Sequence, residues 1–109
     1  MTLYGNINGS DASKLSGSAG WTCSKERQGV FLITFSPGFA EIPALAVTQN
    51  YPNWDGNGAD GNTKDNAVIY QLTANQAKVV TGGSDGSLHD RNFSFIAIGQ
   101  ASLRTVTGT

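Results

Sequence analysis

The chain has 109 residues, which is long enough for one domain with a single hydrophobic core. Only 14% of the residues are charged and the formal net charge is −1, so the sequence lacks the basic balance typical of nucleic-acid-binding domains. No stretch approaches the ~20 apolar residues of a membrane span. We therefore expect neither nucleic acid nor membrane insertion among the partners.

The beginning of the chain predicts two short strands and a connecting segment. Residues 3–8 have strand character, whereas residues 12–20 are small and polar and indicate a loop or linker. A second strand is expected at 21–24, with Trp21 and Cys23 facing inward. We divide the chain accordingly into an N-terminal strand and linker segment, residues 1–19, and a β-sandwich binding domain, residues 20–109.

The middle of the chain predicts four strands, at residues 30–35, 44–49, 67–72 and 77–81. Each is rich in β-branched, aromatic or other apolar residues and is bounded by turn residues. The side chains expected to share one face are Phe31, Ile33 and Phe35 in the first of these strands, and Val68, Tyr70 and Leu72 in the third.

The last strand, residues 92–100, is largely apolar on both faces. Its two sets of side chains are Phe93, Phe95 and Ala97 on one face, and Ser94, Ile96 and Ile98 on the other. We expect it to lie centrally, with one face on the core and the other against another copy of the chain. Together the short strands and turn signals predict an all-β antiparallel sandwich or barrel.

The segment from residue 50 to residue 66 is the longest interruption between strands. Loops of this length in compact domains are commonly functional or disordered. Its oxygen-bearing side chains suit calcium, and the candidate metal ligands are Asp55, Asn57, Asp60 and Asp65. The alternative is a solvated loop rich in Asn, Asp and Gly, which needs no metal.

A second candidate site precedes the last strand. Arg91 offers a donor fork, Asp90 an acceptor and His89 either role, which suits sugar hydroxyls, while aromatic rings suit the apolar face of a sugar. The alternative is that Asp90 and Arg91 form an exposed ion pair and that His89 caps a turn. The candidate ligand-binding residues are Tyr51, Trp54, Asp55, His89, Asp90 and Arg91.

The sequence gives little support for catalysis. It has one histidine, only two glutamates, and no nucleophile elbow, phosphate-binding loop or cysteine-based zinc pattern. Cys23 is the only cysteine, so an internal disulfide is impossible, and we expect it to pack as a small hydrophobic residue. The chain is therefore expected not to be an enzyme.

Four segments in order resemble the small β-sandwich module of H-type lectins, and the head domains of phage tail fibres and bacterial surface fibres. They are Gly-Trp-Thr-Cys at 20–23, Gly-Val-Phe-Leu-Ile-Thr-Phe at 29–35, Phe-Ala-Glu-Ile-Pro-Ala-Leu-Ala-Val-Thr at 39–48, and Phe-Ser-Phe-Ile-Ala-Ile-Gly at 93–99. The chain has Phe95 where the closing strand of these lectins often has tryptophan.

The resemblance implies a six- to seven-stranded antiparallel β-sandwich that associates as a trimer and binds glycans. The expected function is a lectin-like, carbohydrate-binding module that recognises a glycan on a cell surface or glycoprotein. The alternative is a structural trimerisation head of a fibre protein with no ligand of its own. A secreted, cell-surface or virion-associated location is favoured, although no signal peptide is visible.

Overall fold

The computed structural model describes residues 1–50 and 63–102 and shows an all-β fold. The strands are β1 (Thr2–Ile7), β2 (Lys14–Gly17), β3 (Trp21–Arg27), β4 (Val30–Phe35), β5 (Ala44–Asn50), β6 (Asn66–Leu72), β7 (Gln76–Gly82) and β8 (Asn92–Ile98). In these ranges there is no helix, hence none with the length and apolar character that a bilayer crossing requires.

The strands form two four-stranded antiparallel sheets, and the expectation of an antiparallel sandwich is confirmed. Sheet 1 has the order β2-β1-β8-β5, and sheet 2 has the order β3-β4-β7-β6. The described residues thus hold eight strands, where six or seven were expected. The last strand, β8, lies inside sheet 1 between β1 and β5, as its two apolar faces predicted.

The core lies between the sheets and is filled by alternate side chains of their inner strands. Phe31, Ile33 and Phe35 of β4 are buried on the predicted face, as are Phe93 and its alternate neighbours in β8. Phe31 and Phe93 meet across the core with ring centroids 5.3 Å apart. The period-2 alternation of these strands therefore determines which sides of the two sheets face each other.

The N-terminal segment is joined to this core by β1 and by one tryptophan. Leu3 and Ile7 of β1 are buried, and Trp21 lies directly over Gly5. The Trp21 indole N–H donates to the Tyr4 carbonyl at 3.0 Å. Because Gly5 has no side chain, the indole ring can occupy the space where a Cβ would stand.

Two local expectations were wrong, and both errors concern edge strands. Residues 14–17 form β2 rather than part of a loop, although all four are exposed and so carry no burial pattern. In β6 a bulge between Ile69 and Gln71 shifts the register, so Val68 and Tyr70 are exposed while Leu72 packs against the core. Hydrophobic alternation therefore did not predict these two edge strands correctly, because pairing with the neighbouring strand determines their register.

Candidate functional site

Several connections between strands meet at one end of the sandwich, which we call the loop end. The β1–β2 turn, the β3–β4 turn and the β7–β8 connection, residues 83–91, lie where β5 ends and β6 begins. A buried glycine packs them closely, because a Cβ on Gly9 would stand 2.3 Å from the Arg91 carbonyl group. The Gly9 amide also donates to Asn92 Oδ1 at 2.8 Å.

Asp90 fastens the β7–β8 connection to the β3–β4 turn. Its carboxylate accepts from Lys25 Nζ at 2.5 Å and from the Gly29 amide at 2.7 Å. Burial alone would raise the pKa of Asp90, but these two hydrogen bonds and the Lys25 charge hold it below the usual range. The alternative of an ion pair between Asp90 and Arg91 does not hold, because each pairs with a residue from another segment.

Arg91 faces Asp65, which comes from the start of the described part after residue 62. The guanidinium Nη2 lies 3.8 Å from Asp65 Oδ2, and the Asp65 side chain is only 7% exposed. This pair joins the β7–β8 connection to the residues that precede β6. Arg91 therefore lies at the loop end and also stabilises it through this ion pair.

His89 is held by the backbone and by a neighbouring hydroxyl. Its carbonyl accepts from Thr81 Oγ1 at 2.6 Å, and its Nε2 lies 2.9 Å from Ser87 Oγ. Ser87 Oγ donates to Asp85 Oδ1 at 2.7 Å. Because a hydroxyl has one proton, His89 Nε2 must be the donor to Ser87, and it does not act as a base toward that hydroxyl in this geometry.

Most of the proposed metal ligands fall outside the described residues. These are Asp55, Asn57 and Asp60, and the candidate ligand-binding residues Tyr51 and Trp54 lie outside as well. Within residues 1–50 and 63–102, no group of three His, Cys, Asp or Glu side chains is placed to hold a metal ion. Calcium binding at this segment stays a prediction.

Beside the loop end, the outer surface of sheet 2 carries a groove made of two adjoining depressions. The first, of about 220 Å³, lies between the start of β6 and the β7–β8 connection. The side chains and glycines that line it include Lys64, Asn66, Val68, Val80, Ser84, Gly86 and Leu88. Its rim thus includes Lys64, which lies in the predicted calcium segment, and Ser84 of the β7–β8 connection.

The second depression, of about 330 Å³, continues along the same face. It is lined by Arg27, Val30, Tyr70, Lys78, Val80 and Leu88. Val80 and Leu88 belong to both depressions, so they form the apolar ridge between them. Tyr70 is 70% exposed, which is unusual for a ring of this size within a strand.

Cationic side chains line the groove although the chain as a whole is slightly acidic. Three of the seven Lys and Arg residues line it, namely Arg27, Lys64 and Lys78. No acidic side chain is among the described residues that line either depression. Lys78 Nζ lies 3.2 Å from a Glu26 carboxylate oxygen, so Arg27 is the cation that an anion entering the second depression would chiefly meet.

The outer face of sheet 1 is a second surface with a distinct pattern. Towards the end away from the loops, the register aligns Tyr4 with Ile96 and Ala46, and the neighbouring row contains Ile98. Tyr4, Ile96 and Ile98 are each more than half exposed. Contiguous apolar side chains of this size in a sheet typically mark an interaction surface.

Towards the loop end the same face becomes polar. A ladder of hydrogen bonds crosses all four strands through Ser16, Asn6, Ser94 and Asn50. The apolar part of sheet 1 is therefore a bounded patch, consisting of Tyr4, Ala44, Ala46, Ile96 and Ile98, which we call the apolar patch.

Comparison of the chain with protein-family models, with curated proteins and with solved structures gives no match. The resemblance to H-type lectins therefore stays a prediction based on the four segments quoted above.

Sequence reasoning missed the groove because its residues come from four separate strands and a connection. Arg27 lies beyond the strand predicted at 21–24, yet β3 continues through it and a bulge pairs it with Val30. Tyr70 was placed on a face shared with Leu72, which the bulge in β6 prevents. An exposed aromatic in an alternating strand is the one signal that points to this surface.

Proposed function

We propose that the protein is a non-enzymatic, lectin-like module that binds carbohydrate in the groove of sheet 2. The observation that carries the proposal is a solvent-exposed tyrosine beside a groove with an apolar ridge and a polar rim. A sugar ring has apolar C–H faces and a periphery of hydroxyls, so it needs this combination of an aromatic surface and planar polar groups.

The two depressions offer these groups separately. Tyr70 provides the ring in the second depression, while Asn66 and Ser84 provide amide and hydroxyl groups at the first. The groove is open and extends over both depressions, so it suits a chain of two or more sugars rather than an enclosed monosaccharide. Tyr51, Trp54 and Asp55 stay predicted as further ligand contacts.

The loop end supports this groove through structural contacts. Asp90 and Arg91, which the sequence proposed as ligands, hold neighbouring connections together by ion pairs with Lys25 and Asp65. Binding residues are commonly carried on loops that a rigid scaffold positions. In this proposal Asp90 and Arg91 position the β7–β8 connection, and Ser84 and Leu88 of that connection contact the sugar.

A glycan array with the purified protein tests the proposal, and a blocking variant locates the site. Val68→Glu places a charged side chain at the wall of the first depression, where Val68 is 48% exposed. The matched control is Thr22→Glu, on the other edge strand of the same sheet and outside the groove. We expect Val68→Glu to lose binding and Thr22→Glu to retain it. A parent protein that binds no glycan would overturn the proposal.

The apolar patch favours a second element of function, association of the chain with copies of itself. Cyclic association would remove Tyr4, Ile96 and Ile98 from water. The resemblance implies a trimer, and several sites in one oligomer would strengthen weak glycan binding by avidity. If association were the only function, the protein would be a structural trimerisation head that binds no glycan.

Molar mass in solution tests association. We expect light scattering at micromolar concentration to give the molar mass of an oligomer. Ile96→Lys should shift the equilibrium towards monomer, because association would bury the lysine charge at the apolar patch. Thr48→Lys, which lies on the polar part of the same face, is the control. A strictly monomeric parent would contradict this part of the proposal and leave the groove proposal standing.

A further inference from the structure

The second depression lies between two edge strands that both carry a bulge. In β3 the register shifts between Lys25 and Arg27, and in β6 it shifts between Ile69 and Gln71. Bulges re-aim side chains and are frequent beside binding sites. Because β3 and β6 are opposite edges of sheet 2, Arg27 and Tyr70 reach the depression from opposite sides.

The floor between them is apolar and continuous. The register aligns Arg27 with Val30, Val30 with Val80, and Val80 with Val68, which forms one row across all four strands. Val30 is almost completely buried, so Val80 supplies the accessible part of this row in the depression, and Leu88 of the β7–β8 connection closes the side towards the first depression. A planar or chair-shaped ring can lie on this floor with its edge towards Arg27.

The two cations of the depression differ in how they are engaged. Lys78 Nζ lies 3.2 Å from a Glu26 carboxylate oxygen and 6.0 Å from the centre of the Tyr70 ring. The Arg27 guanidinium makes no hydrogen bond or ion pair with the residues that the structure describes. Arg27 therefore has a free donor fork, whereas the Lys78 charge is partly neutralised.

We infer that the second depression binds a sugar residue that carries a carboxylate. This inference rests on the proposed carbohydrate-binding function and specifies its ligand class. The Arg27 fork matches a carboxylate through two parallel N–H···O bonds. Tyr70 stacks against the ring, the valine floor covers its apolar edge, and no acidic side chain among the described lining residues opposes the negative charge.

Two pairs of probes separate the carboxylate from the rest of the sugar. The first pair is tetragalacturonate and its methyl ester, which keeps every ring and removes the charges. The second pair is sialyllactose and its methyl ester, which differ in the same way. Calorimetric titration at low salt should give at least about tenfold tighter binding of the acid within at least one pair, because a charge-assisted bidentate contact is gained.

Variants assign this preference to individual side chains. We expect Arg27→Gln to remove the preference for the acid and to leave binding of the neutral partner unchanged. Tyr70→Ala should weaken both members of the pair, since stacking does not depend on charge. Lys14→Gln, which removes one positive charge on the opposite sheet, is the control and should change neither. Melting temperatures of all variants show that each is folded.

The outcomes distinguish this inference from the broader proposal. If the parent binds neutral glycans of an array but does not prefer the acid in either pair, the acidic-sugar assignment is overturned and the carbohydrate-binding function stands. The same holds if Arg27→Gln keeps the full preference. If no glycan, neutral or acidic, binds the parent, the carbohydrate-binding function itself fails.

Discussion

Replacing Gly5 with alanine tests how tightly the N-terminal strand is built into the sandwich. A Cβ at residue 5 would stand 2.0 Å from Trp21 Cζ2, which is roughly 1.5 Å closer than carbon atoms normally approach. The indole ring cannot move freely, because its N–H donates to the Tyr4 carbonyl at 3.0 Å. Its other edge contacts the Phe95 ring, with centroids 4.9 Å apart and the rings nearly perpendicular.

Gly5→Ala must therefore displace the indole or separate β1 from the sheet. Overpacking of a core typically costs about 1–3 kcal/mol, and loss of the indole hydrogen bond adds about 1 kcal/mol. We expect a loss of about 3 kcal/mol in the free energy of unfolding. For a domain of this size, that loss corresponds to a decrease of roughly 12–24 °C in Tm.

The assay is urea unfolding followed by far-UV circular dichroism, with Trp21→Phe as the second member of a double-mutant cycle. Phenylalanine lacks the indole atoms nearest residue 5, so Gly5→Ala should cost less than about 1 kcal/mol in that background. Equal costs of Gly5→Ala in both backgrounds would show that the added Cβ does not clash with the indole, as would a cost below about 0.5 kcal/mol with Trp21 present.

Two further predictions concern Asp90 and Cys23. Asp90→Ala should cost about 2 kcal/mol at neutral pH by removing the hydrogen bonds to Lys25 and Gly29. The pKa of Asp90 is lower in the folded state than in the unfolded state. Its contribution to the free energy of unfolding is therefore complete above the unfolded-state pKa of about 3.9 and is lost as the pH falls through the folded-state pKa. Unfolding curves of parent and variant should differ at pH 7 and converge in acid. Burial raises the pKa of the Cys23 thiol to about 12. Iodoacetamide at pH 8 should therefore react with Cys23 on the order of 10³-fold more slowly than with an ordinary cysteine. Rapid labelling of the native protein would contradict this.

The parts of the fold that could be predicted are those where one side chain set is buried and the other is not. In β4 and β8 the phenylalanines recur at every second residue, and this alternation identified both the strands and their inward faces. β2 has no buried residue, so its pairing with β1 depends on the partner strand alone. Sequence pattern carries no information about such an edge strand.

The candidate site could be predicted only in outline. Residues 89–91 lie before β8 at one end of the sandwich, where Asp90 and Arg91 form ion pairs, and their binding of a ligand stays a prediction. Their partners could not be predicted, because Lys25 and Asp65 come from segments distant in the sequence. The groove was missed for the same reason, since two bulges determine where Arg27 and Tyr70 lie.

The most direct test of carbohydrate binding in the groove is chemical-shift mapping by NMR with the tightest-binding glycan from the array. We expect the shifted amide signals of the described residues to cluster at Lys64–Tyr70, at Lys78–Val80 and at Ser84–Leu88, while those of the apolar patch on sheet 1 stay unchanged. Shifts confined to the outer face of sheet 1, with the signals of Val68, Tyr70 and Leu88 unchanged, would contradict it.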